Sequence, residues 1–122
     1  MAKENKEVVN PITITNKNGD VYILDYDRAS CAAVNKAGFN ANEIESNPEE
    51  MLPLLFFGAF KKHHRKLSKA DTDRILEDMG GGMPTKMIER LVELYLQGRE
   101  GLIVEDEEFE ENAKNTGWTI EI

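Results

Sequence analysis

Apolar and polar residues alternate twice early in the chain, in Ile12-Thr-Ile-Thr15 and in Val21-Tyr-Ile-Leu-Asp-Tyr26. A period of two is that of a strand with one covered face. Between the runs lies Asn16-Lys-Asn-Gly-Asp20, where Asn18-Gly19 suits the positive φ angles of a tight turn. The pattern predicts an N-terminal β-hairpin. Two strands alone are not stable in water, so their apolar face must rest on helices.

The rhythm then changes to that of helices. Asp27 is suited to cap a short helix through Lys36 or Ala37, with Gly38 ending it. Its apolar residues, Ala29, Cys31, Ala32, Ala33 and Val34, are small and permit close packing. A loop over Phe39 to Ser46 follows, pinned by Phe39 and Ile44. Asn47 to Leu67 is the densest apolar stretch, and Leu52, Leu55, Phe56, Ala59 and Phe60 mark one helical face that continues past His63 to Leu67. Met51, Leu54 and Phe57 are apolar as well, so the first turns are apolar nearly all round. Such a helix is a central core element or one side of an interface. Pro48 fits a first helical position, and Pro53 predicts an initial turn, a kink and a main helix to about Lys66. Ser68 with Asp71 opens a further helix carrying Thr72, Ile75, Leu76 and Met79 on one side, and Gly80-Gly-Gly82 ends it. Pro84 opens the next, with Met87, Ile88, Leu91, Leu94 and Tyr95 on its face and Gly98 closing it.

The fold expected is α+β: an N-terminal β-hairpin packed on a bundle of about four short helices, with an acidic C-terminal tail. Residues 1–98 form the small α+β domain and residues 99–122 the tail. In the tail, Leu102-Ile-Val104 is a short apolar run, Glu105 to Glu111 is almost all acidic, and Gly117-Trp-Thr-Ile-Glu-Ile122 alternates like a strand. Two readings stand side by side: a disordered acidic linker carrying a docking peptide, or an extra strand on the hairpin edge.

Charge sharpens this division. The formal charge is −8 at pH 7, yet Arg99 to Ile122 alone holds two basic and eight acidic residues. The body is close to neutral, which argues against a nucleic-acid binder as a whole. A single cysteine, Cys31, excludes an internal disulfide and reads as a small buried hydrophobe. The polar start, MAKENKEVVNP, holds no signal-peptide core and no apolar run is long enough to span a membrane, so a cytoplasmic protein is expected.

Little in the chain suggests chemistry. His63 and His64, adjacent on a helix, diverge by about 100° and have no Cys or acidic residue at ligand spacing, so no metal is expected. His63 is expected at the core edge and His64 in solvent. Lys61, Lys62, Arg65, Lys66 and Lys69 form a basic cluster with three readings. It complements a helix C-terminus, docks an acidic segment such as Glu105 to Glu111, or meets nucleic acid. Gly80-Gly-Gly-Met-Pro84 lacks the Lys-Ser/Thr ending of a phosphate loop. Asp71, Asp73, Glu77 and Asp78 read as a solvated helix face. No nucleophile–base pair or acid dyad is recognisable, so neither catalysis nor a cofactor is expected.

The order of parts is more telling. DYDRAS at the strand edge, a small helix ending in AGF, MLPLLFFGAFKKHHRKLS and a KMIERLVELY helix together resemble the small tail assembly chaperones of long-tailed phages and prophages of Gram-positive bacteria. The likeness covers roughly residues 12 to 98. It implies a non-enzymatic chaperone in the bacterial host's cytoplasm, absent from the mature virion. Such proteins bind the tape measure protein, keep it soluble and help recruit the tail-tube protein around it. A longer frameshifted product is a trait of that group. Under this reading Met51, Leu54 and Phe57 are the apolar positions left over for the partner, with Lys61, Lys62 and Arg65 beside them. Two alternatives remain: a homo-oligomeric interaction module using the same helix, and a small nucleic-acid-associated regulator using Lys61 to Lys69.

Overall fold

The computed structural model describes residues 8–100 and 105–122. The hairpin forms as its alternation requires, with β1 at Ile12–Thr15 and β2 at Val21–Leu24 pairing antiparallel, Ile12 opposite Leu24 and Thr15 opposite Val21. Its turn differs from the two-residue form suggested by Asn18-Gly19. Only Gly19 takes a positive φ, and the Asn16 side chain accepts the Asn18 and Asp20 N–H groups, both at 2.9 Å. An Asn side chain mimicking a backbone acceptor thus shapes the loop.

Helix α1 spans Arg28–Lys36, α2 Pro48–Phe60, α3 Lys69–Asp78, α4 Thr85–Glu100 and α5 Asp106–Thr116, with a single 3-10 turn at Ala41–Glu43. Their starts follow local chemistry. Asp27 caps α1 and Ser68 caps α3, each in a reciprocal capping box, with Ser30 and Asp71 as the third helical residues. Burial works against the Asp27 carboxylate, but hydrogen bonds from Ser30 and the charge of Lys62 hold its pKa below the usual range.

α2 is the centre of the molecule. It packs against α1, α3, α4, β2 and the 3-10 turn, which is why it is apolar nearly all round. Leu55, Phe56, Ala59 and Phe60 are buried there with Leu24, Val34, Leu91 and Leu94. The helix runs unbroken through Pro53, rather than as a turn followed by a kinked second helix. The proline removes one intrahelical bond, near the end where Glu49 and Glu50 are in water.

α2 also ends earlier than its apolar stripe suggests, at Phe60 rather than Lys66. Continuing it would set Lys61 against Arg65 and Lys62 against Lys66, two like-charge pairs at i, i+4. The Ala59 carbonyl instead accepts the Asp25 N–H at 2.9 Å. One turn later, His64 Nε2 accepts the Ile23 N–H at 2.9 Å. The outer edge of β2 is thereby sealed by the end of α2 and the turn after it.

Two helices close on one another through glycine. At Gly58 an added Cβ would lie 2.3 Å from Tyr26 Oη and 2.9 Å from Val34 Cβ. Tyr26 Oη donates to the Leu55 carbonyl at 2.7 Å, and burial pushes the phenol well above its ordinary pKa, so the donor keeps its proton. Gly98 does not close α4, which continues to Glu100, past the boundary at residue 98. It lets α4 approach α1, where a Cβ would meet Cys31 Sγ at 2.9 Å. Cys31 is buried, and its thiol donates to the Tyr95 carbonyl at 3.3 Å.

The acidic run is helical rather than a disordered linker. Asp106, Glu107 and Glu108 occupy the first turn of α5 and Lys114 the last, which suits the helix dipole at both ends, and Gly117 ends it in the left-handed region. No third strand forms among the described residues. Leu102-Ile-Val104 lies outside them.

Candidate functional site

Two of the three apolar residues assigned to a partner are not left over. Met51 is 3% exposed and Phe57 9%. Met51 Sδ accepts the Asn40 N–H at 3.3 Å and so holds the loop before α2, while the Lys61 ammonium lies 4.7 Å from the centre of the Phe57 ring. Leu54 is half-buried beside Pro53 and Leu76. Periodicity misleads here because neighbours pack on α2 from several directions and bury Met51 and Phe57, while Leu54 stays at a surface groove.

The basic cluster sits on the turn after α2, with no basic residue in the helix's last turn. Lys62 donates to Asp25 at 2.8 Å, and that hydrogen bond raises its pKa. Lys69 pairs with Asp73 at 2.9 Å. Lys61, Lys62 and Arg65 line a shallow notch with Asp27, Ala29, Ser30 and Ala33. Much of the cluster therefore serves this chain's own carboxylates and the Phe57 ring.

The two histidines exchange the places expected of them. His63 is exposed, 4.0 Å from Asp25 Oδ2. His64 is half-buried, edge-on to Tyr22 at 5.4 Å and Phe60 at 6.0 Å between ring centroids. Where α2 stops decides this, since the stripe that would carry His63 inward ends at Phe60. Because His64 Nε2 accepts a backbone N–H, that nitrogen carries no proton. Partial burial and then neighbouring His63 lower its pKa. A histidine with a folded pKa below its unfolded value binds fewer protons folded than unfolded. Its contribution is complete above the unfolded value of ~6.5 and is lost as pH falls through the lowered folded value. We expect the thermal midpoint to fall over that window, and to fall less in His64→Gln. An equal fall in both proteins would show that His64 is not the titrating group.

A different surface offers a receptive shape. The hairpin and α3 diverge, leaving a cleft of about 280 Å³ lined by Ile14, Thr15, Asn16, Tyr22, Ile75, Asp78 and Met79. It opens into a wider groove of about 680 Å³ along Leu67, Asp71, Arg74 and Glu77. The floor is apolar, and with Arg74 paired to Asp71 the net negative charge of the rim comes from Glu77 and Asp78. Asp71 itself stays readily ionised, because hydrogen bonds from the Ser68 cap lower its pKa. Met79 is 39% exposed. The stripe of Thr72, Ile75, Leu76 and Met79 contained two of the cleft's apolar residues, but periodicity does not tell them from core.

Among the described residues, no three His, Cys, Asp or Glu side chains converge as a metal site, and no helix is long and apolar enough to cross a membrane. No curated protein and no solved structure matches the chain. A family profile does, over residues 1–122, and the chain therefore belongs to DUF5055, a domain of unknown function.

Proposed function

We propose that this protein is a non-enzymatic tail assembly chaperone that binds a phage tape measure protein in the host cytoplasm, keeps it soluble and promotes tail-tube assembly. The order of sequence elements suggests the client. The observation that carries a binding role is the cleft between the hairpin and α3. An apolar floor of Ile14, Tyr22, Ile75 and Met79 under an acidic rim suits an amphipathic helix with basic flanks. Long helical proteins expose such stripes, and covering them prevents aggregation. The proposed binding surface thus moves from Met51 and Phe57 to this cleft, because a partner cannot reach those two side chains, while Leu54 remains at the edge of a separate groove.

The test is co-expression with the tape measure protein of the same genome. The client is expected to become soluble and co-purify with the native chain. With Met79→Lys, co-purification should drop at least about tenfold, the equivalent of roughly 1.4 kcal/mol, while the thermal midpoint stays near native because Met79 is exposed. A client that stays insoluble with the native chain refutes the chaperone reading. Undiminished recovery with Met79→Lys refutes the cleft.

A further inference from the structure

We propose that β1 accepts the segment Trp118–Ile122 of a second copy of this chain as a third strand, giving a dimer by reciprocal exchange. The argument begins with the two edges of the hairpin. The Ile23 N–H turns away from β1 to His64, and the Asp25 N–H turns to Ala59. Thr13 lies opposite Ile23, and Thr15 opposite Val21. In an antiparallel pair, residues opposite one another share the same orientation of their backbone groups. The N–H and C=O of Thr13 and Thr15 therefore point outward from the other edge, and no described strand pairs with it.

Among the described residues no strand covers that edge. Natural sheets blunt open edges with lysine, proline, bulges or a covering element. Ile12-Thr-Ile-Thr15 contains no charge, and its nearest proline, Pro11, lies just before it, whereas the β2 edge is sealed by α2. The same molecule presents a matching donor. Trp118, Ile120 and Ile122 alternate with Thr119 and Glu121, so one face of this segment is apolar and the other polar. Trp118 is 74% exposed and Ile120 63%, and the segment forms no secondary structure in the single chain. Placed beside β1, its apolar face falls on the side of Ile12 and Ile14, the half-buried face of the strand.

Area favours a second copy as the occupant. A tryptophan alone can bury ~150–250 Å². Two exchanged segments, each with a tryptophan and two isoleucines and counted with the edges that receive them, bury several times that area, toward the ~1,600 Å² of a stable protein–protein interface. Reciprocal exchange also closes the assembly, because each chain has one open edge and one donor.

The experiment measures mass by light scattering for the full chain and for a chain lacking residues 117–122, with Trp118 emission followed across dilution. The full chain should show a doubled mass and a blue-shifted emission, and both should revert on dilution. The shortened chain should be a monomer. Thr13→Pro, which removes an N–H that the hairpin does not use, should also give a monomer with an unchanged helical circular dichroism. Equal masses for the full and shortened chains would overturn the proposal. So would a blue-shifted emission independent of concentration, which would place the segment on its own chain. A dimeric Thr13→Pro protein with native dichroism would overturn the assignment to β1.

Discussion

Replacing Phe60 by alanine should lower stability by about 3–5 kcal/mol, as for other buried aromatic residues cut back to alanine. For a chain of this size, that is a fall of roughly 12–20 °C in the thermal midpoint. Phe60 is fully buried where α2 meets the hairpin, its ring 4.9 Å from that of Phe56 and 5.7 Å from that of Tyr22. Truncation leaves a cavity bounded by a helix on one side and a two-stranded sheet on the other. The hairpin depends on that packing, because alone it has little stability. Thermal and urea unfolding monitored by circular dichroism would measure the loss. A midpoint unchanged from native would mean that the hairpin does not rest on the end of α2.

Gly58→Ala is the second large effect, and two opposing terms decide its sign. Alanine gains about 0.5–1 kcal/mol over glycine within a helix. Against this stands overpacking, typically about 1–3 kcal/mol. Here the new methyl would meet Tyr26 Oη at 2.3 Å and Val34 Cβ at 2.9 Å. Neither neighbour yields easily, since Tyr26 is anchored to the Leu55 carbonyl and Val34 is fully buried. The net expectation is destabilisation by about 1–2 kcal/mol. Tyr26→Phe removes the closest atom, so Gly58→Ala should cost less in that background. Strict additivity in the double-mutant cycle would show that the Tyr26 hydroxyl is not the obstacle.

The parts of the fold legible in the sequence were those set by neighbours in the chain. Asp27 and Ser68 announced their helices through groups three residues away, and the hairpin followed from alternation on either side of a turn. The binding surface was less legible. Periodicity identifies which residues avoid water, but not which neighbour covers them. Met51 and Phe57 look spare on an isolated helix, but neighbours in the fold cover the side of α2 that carries them. Ile75 and Met79 looked like ordinary core residues because the sequence does not say that the hairpin stops short of α3. The exchange of His63 and His64 has the same origin, since one helix end, fixed by a bond from Ala59 to a distant strand, decides which ring turns inward. The helical acidic run could have been read locally: acids at its start, Lys114 near its end and Gly117 after it are the ordinary marks of a helix.

The burial of Cys31 has a practical consequence. Desolvation pushes its thiol up to about 11, so near neutral pH it is almost wholly protonated, besides being shielded by α4. Thiolate-specific reagents should therefore pass the native chain by. Since it is the only cysteine, a new one introduced at an exposed site such as Asn115 would be the single point of attachment for a fluorophore or spin label. Distances within any assembly this chain forms could then be followed without first rebuilding the core around a missing sulfur.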